Sequence, residues 1–349
     1  MSLISRIGTD LLRSLLLPAA IFVVSIVAWF ILTRTQTPMP PVPTPSQPEV
    51  QRKQAFHTSR IEPLILENQQ ANRQAVERCL ARIDDAFAKY RKGIAPFSED
   101  ITSMGTRFRI LTRMPADWWY DDSRIQQYVQ SKFEKHIFGE RQLNDDLTSA
   151  LATFRDELQA NRRELLASVK LAVSESDFPA WVMPNDKGFD EQVGEILVEF
   201  SAKRAKDSVY HGIATMVASE VAVYAVSQIS TRVVTSIGTS AAASTAAAGA
   251  TAGGAAAGAG GGSLGGPVGT AIGLGAGFVV GVLVDWWMTE DFKAKLERDV
   301  NQYLTKFHDG IIEGADGHPG LRDTLGQVGD DFNQAQRTTM RRALLGESL

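Results

Sequence analysis

The sequence predicts an all-α protein: an N-terminal transmembrane helix, a proline-rich spacer, a long-helix bundle or coiled coil, and a Gly/Ala-rich hydrophobic helical hairpin. Three observations carry that reading. The twenty residues Ser14 to Thr33 hold no ionisable side chain, apolar residues through the middle of the chain recur at steps of three and four, and residues 233–284 again carry no ionisable group.

Composition sets the frame. Of 349 residues, 44% are hydrophobic, enough for a real core, and 36 basic against 40 acidic residues give a net charge of −4. Without a basic excess, nucleic acid is not an expected partner. The single cysteine, Cys79, excludes an internal disulfide and any CxxC metal or redox site.

Residues 1–13 form a short leading segment, and 14–33 the anchor. A helix of that length rises about 30 Å, the thickness of a bilayer's hydrocarbon core. In lipid every backbone N–H and C=O must be paired within the segment, so such a run becomes a helix. Pro18 sits near its start, where a missing N–H costs least, and Trp29 lies near the far end, suited to the interface. The apolar run is long for a cleaved signal peptide, and no small-x-small site follows it, so it is read as an uncleaved signal-anchor. Arg6, Arg13 and the terminal amine precede it while only Arg34 follows closely. The positive-inside rule therefore places the amino terminus in the cytoplasm and the body on the periplasmic or extracellular side.

Residues 34–60 read as a linker, because six of the fourteen prolines fall within Pro38 to Pro48 and favour extended polyproline geometry. Over 61–206 the spacing is helical. Val76, Leu80, Ile83, Phe87 and Tyr90 share one face, away from Arg78, Arg82, Asp84 and Asp85, until Gly93 and Pro96 end the run. A second helix carries Ile125, Val129, Phe133 and Ile137. The longest carries Leu143, Leu147, Leu151, Phe154, Leu158, Leu165, Val169 and Val173, with Asn144 as its expected cap and Asn161 interrupting the stripe. Phe189, Val193, Ile196 and Phe200 mark a fourth. No stretch shows a period of two bounded by turn residues, so no sheet is expected. Such stripes need partners, either each other or copies on neighbouring chains, which makes a homo-oligomer the expected assembly.

Residues 207–288 are read as the hairpin. Gly261, Gly265, Gly269, Gly273, Gly277 and Gly281 recur every four residues and line one side of a helix, where another backbone can approach closely. Trp286 and Trp287 follow directly, like an interfacial belt closing a span. On the preceding arm Glu220, Tyr224, Gln228 and Arg232 form one polar stripe, which is the arm's solvated face or, if the arm spans a bilayer, the lining of a lumen. The segment resembles the hydrophobic hairpins of membrane-inserting toxins and glycine-zipper proteins; the resemblance is one of composition and assigns no residue a role. Residues 289–349 follow as an amphipathic helix and C-terminal tail. Thr289 is its expected cap, and Phe292, Leu296, Val300, Tyr303, Phe307 and Ile311 its apolar face, with a loop and a short terminal helix beyond.

Little points to chemistry. His308, Asp309, Glu313, Asp316 and His318 cluster, but their spacing matches no HExxH or EF-hand pattern. Asp117 to Asp122, around Trp118, Trp119 and Tyr120, make an acidic and aromatic patch read as a loop anchor. Lys203, Arg204 and Lys206 read as a solvated face, and Cys79 as a buried thiol. No catalytic, cofactor-binding or metal residue is assigned, and no enzyme is expected. The function expected is a membrane-anchored structural or interaction protein that oligomerises through helical packing and the glycine zipper, with the bilayer and a further protein as partners. The alternative is a pore or conduit built by residues 213–284.

Overall fold

A computed structural model of the protein describes residues 47–103, 124–176, 185–204, 208–218, 291–315 and 318–346. The chain divides into two compact units, 1–52 and 53–349. Of the first, the described part is the start of helix α1, Gln47–Phe56, which begins inside the stretch that composition assigns to the linker. Ser14 to Thr33, the zipper glycines, Glu220, Tyr224, Gln228, Arg232, Trp286, Trp287, Thr289 and the Asp117 to Asp122 patch lie outside the described residues. Within the described residues no helix is long and apolar enough to cross a membrane.

The second unit is helical. A π-helical turn, His57–Ile61, leads into α2, Glu62–Lys92, where Pro63 occupies the first turn. The apolar stripe of α2 is buried along its length, with Cys79 beneath it. Gly93 then turns the chain into α3, Ile94–Thr102, and Pro96 falls in the first turn of that new helix. Glycine is required at 93 by space: a Cβ there would run into the carbonyl oxygen of His136, at the end of α4, Arg124–His136.

Helix α5, Glu140–Ser174, is the longest. It begins four residues before Asn144; Gly139, in extended conformation, occupies the cap position and makes no side-chain cap bond. Its contacts with α2 pair residue 68 with 161, 79 with 150 and 90 with 146, so the two helices run antiparallel. Leucine and phenylalanine of both are buried in the common core, each fully buried side chain contributing about 1.5–3 kcal/mol. Asn185 caps α6, Asp186–Lys203, by accepting from the Gly188 N–H at 2.7 Å. Helix α7, Ser208–Ala218, packs on α6, α5 and the last helix.

Helix α8, Phe292–Glu313, starts from Asp291 and buries all six residues of the expected face. It ends at Gly314, whose φ of 91° no β-carbon tolerates readily, and this kink starts a small hairpin. There β1, Gly314–Ala315, pairs antiparallel with β2, His318–Pro319. Two residues per strand are too few to show a period, which is why the expectation of no sheet misses them. The last described element is α9, Leu321–Leu345. This 25-residue helix replaces the expected loop and short helix, and it lies antiparallel to α2 in the middle of the bundle, touching α6, α7 and α8 as well.

Candidate functional site

The residues expected to carry function fall in 219–290, and the structure defines the two roots from which that segment departs and to which it returns. Helix α7 is the first. Tyr210, Ile213, Ala214, Met216 and Val217 are buried. Tyr210 donates to the Asp331 carboxylate on α9 at 2.5 Å, and Gln159 of α5 donates to the Val217 carbonyl at 3.2 Å. At Gly194 of α6 an added Cβ would lie 3.3 Å from the Ala218 carbonyl oxygen, so α6 and α7 approach almost backbone to backbone.

Helix α8 is the second root, and aromatic packing holds it. Phe307 lies parallel to Phe138 and Tyr303, with ring centroids 5.9 and 6.0 Å away, and tilted against Phe87 at 5.8 Å. Phe133 meets Tyr303 edge to face. Burial alone pushes the Tyr303 phenol well above its ordinary range. At the start of the helix Ser98 of α3 donates to Glu297 at 2.5 Å.

The core also contains a polar layer. Asn72, fully buried, donates to the Oδ1 atoms of Asn333 at 2.6 Å and Asn68 at 3.2 Å. Its own Oδ1 accepts from Asn161 at 2.9 Å, and Asn68 donates to the Asn161 carbonyl at 2.7 Å. Three helices are thus tied at one level, and sliding any of them by a turn would strand buried amides. Asn161 therefore does not merely interrupt the stripe; it joins the layer. A cleft of about 160 Å³ reaches Asn68 and Asn161 from one side, and one of about 240 Å³ reaches Asn72 and Asn333 from the other.

Several further polar groups are tied to structural partners. Cys79 donates to the Ala150 carbonyl at 3.5 Å and is fully buried, which pushes its thiol up to about 12; a thiol in that state is no nucleophile. Burial and the bond it donates to Asp146 push the Tyr90 phenol up likewise. Asp100 accepts from His136 and Lys132, both at 2.9 Å, and those bonds, His136's above all, hold its carboxyl below the usual range. His308 faces Asp84 at 2.7 Å, and Glu313 accepts from Arg322 at 3.0 Å, so two members of the histidine cluster are engaged with other helices. Asp316 lies outside the described residues, and among the described residues no three metal-capable side chains converge. Ser201 and His211 share a 2.6 Å bond, but the serine is buried between α6 and α7 and so serves as a tie. Lys203 pairs with Glu199 at 2.8 Å, whereas Arg204, read from sequence as solvated, reaches the buried Asp331 at 3.3 Å.

Sequence reasoning missed Asn68, Asn72, Asn333 and Asp331. A signal existed on α2, where asparagines four residues apart continue the stripe of Ile61 and Ile65. Comparison with known protein families, with curated proteins and with solved structures returns no match to this chain.

Proposed function

We propose that the protein is a membrane-anchored structural protein whose bundle presents the Gly/Ala-rich segment 219–290 for assembly with further copies. The observation that carries this reading is the bracketing of that segment: α7 and α8, on either side of it, both bury their apolar faces in one bundle. A helical body rooted at two points is suited to holding a sticky segment and keeping its ends in place. The six glycines supply the surface for close helix packing, and Ser14 to Thr33 the attachment to the bilayer. The polar stripe Glu220, Tyr224, Gln228 and Arg232 favours a second reading, in which assembled segments line a conduit.

The test uses the full chain in native membranes. Because Cys79 is buried, a cysteine introduced as Ala276→Cys is the only reactive thiol, and oxidation should link neighbouring copies through it. In the same background Gly273→Leu with Gly277→Leu should abolish the link, since the added side chains force the helices apart. Linking that persists in the leucine variant, or that never forms, refutes assembly through the zipper. Ion flux that falls in Glu220→Ala and Arg232→Ala vesicles while the link survives selects the conduit.

A further inference from the structure

Two glycines in the last helix are required neither by backbone conformation nor by packing. Gly326 and Gly329 lie inside α9, away from both ends, and neither has the positive φ that demands glycine. A Cβ at 326 meets nothing within 4 Å, and one at 329 would lie 3.6 Å from Val76 Cγ2, an ordinary contact. Alanine would fit at both and would favour the helix. What the glycines provide is room, since both line the cleft of about 240 Å³ between α2 and α9.

The cleft also gathers polar groups with nothing to bind. Asn333, 4% exposed, accepts from Asn72 through its Oδ1, but its Nδ2 makes no hydrogen bond among the described residues. An idle donor on so deeply buried an amide is uncommon. Unlike Gln336 Nε2, which is sealed from solvent without a partner, Asn333 Nδ2 keeps access to solvent, and the cleft is the opening beside it. Arg73 of α2 and Asp330 of α9 line the same cleft. Because Asn72 meets Asn333 and Glu62 pairs with Arg337, these two opposite charges stand near one level on facing helices. Neither makes an ion pair or a side-chain hydrogen bond among the described residues. Arg322, also on the lining, is by contrast engaged: it donates to Glu313 at 3.0 Å, and that bond raises its pKa, with the charge of Glu77 adding to the effect.

We propose that this cleft binds a free α-amino acid. The ligand's carboxylate accepts from the Arg73 guanidinium and from Asn333 Nδ2, its ammonium donates to the Asp330 carboxylate, and its carbon frame fills the space over Gly326 and Gly329 beside Val76. A guanidinium with a neighbouring amide donor suits a carboxylate, and a carboxylate facing it across the cleft suits an ammonium, so the zwitterion satisfies both walls at once. The volume falls below the roughly 300–1,000 Å³ of sites for drug-sized molecules, which favours a ligand of this small size. The site lies wholly within the bundle and does not rest on the assembly reading.

Isothermal titration calorimetry on the full chain in detergent tests it, with each standard amino acid as the probe in turn. At least one should bind saturably, and its two analogues, the acid lacking the amine and the amine lacking the carboxylate, should each bind at least about tenfold more weakly. Gly326→Leu, whose added Cβ enters open space, should keep the wild-type circular dichroism and abolish binding. Arg73→Gln and Asp330→Asn, which alter exposed side chains without partners, should keep the fold and weaken binding by about tenfold or more. The proposal is overturned if no amino acid binds the wild type, if a folded Gly326→Leu variant or either charge variant binds as the wild type does, or if an analogue with one charge binds as tightly as the zwitterion.

Discussion

Replacing Asn72 by leucine probes the polar layer where its geometry is densest. The asparagine is fully buried, donates twice and accepts once, so Asn72→Leu leaves Asn161 Nδ2, Asn333 Oδ1 and Asn68 Oδ1 without that partner. Each orphaned buried group costs about 1–3 kcal/mol. Leucine regains part of this by burying more apolar surface, and water entering the two flanking clefts can satisfy groups at their edges. The net loss should be about 2–5 kcal/mol, a large share of a typical stability of roughly 5–15 kcal/mol. Urea unfolding of the full chain in detergent, followed by far-ultraviolet circular dichroism, reads it as a lower midpoint. The companion variant replaces Asn72, Asn161 and Asn333 together by leucine. With both sides of the Asn72–Asn161 and Asn72–Asn333 bonds apolar, and only Asn68 Oδ1 left without its partner, it should lose less than the sum of the three single variants. A single-variant loss below about 0.5 kcal/mol, the range of an ordinary surface change, refutes the argument. So does strict additivity in the triple variant.

Two further outcomes follow from the geometry. Gly93→Ala drives a Cβ into backbone at His136, which cannot swing aside, so it should cost about 1–3 kcal/mol and lower Tm by several degrees. Gly139→Ala, with open space around the added carbon, should leave Tm nearly unchanged, and equal effects would dismiss the close contact between the α2–α3 turn and α4. The carboxyl of Asp100 is held below its ordinary 3.8 by His136 and Lys132, so its stabilising contribution is complete above about pH 4 and fades as pH falls through the lowered value. The stability gap between wild type and Asp100→Asn should therefore be constant near neutral pH and close below pH 4. A gap that widens on acidification would reverse the sign.

Much of this architecture is legible in the residue order. The stripes at 76, 80, 83, 87 and 90, at 143 to 169, and at 292 to 311 are buried where spacing places them, because an apolar face of period 3.6 has one energetically sensible destination. Cys79 is buried for the same reason. Helix α9 was not legible, and its inner face explains why. Thr324, Asp331, Asn333, Gln336 and Thr339 are buried there among Leu325, Val328 and Phe332, so a reading that seeks an apolar stripe sees a polar tail. Asn333 and Asp331 can be core because partners on other helices await them. Asn333 meets Asn72 across 261 positions of sequence, and Asp331 meets Tyr210 across 121.

The sequence by itself determined the helical class, the long helices and the faces that turn inward, since periodicity and the cost of exposed apolar surface are local properties. Only the tertiary structure decided which polar residues join the core and how α9 packs among the other helices. Burying an amide or carboxylate costs least when a particular partner stands within hydrogen-bond reach. That partner is chosen by how the helices pack, which local spacing does not encode.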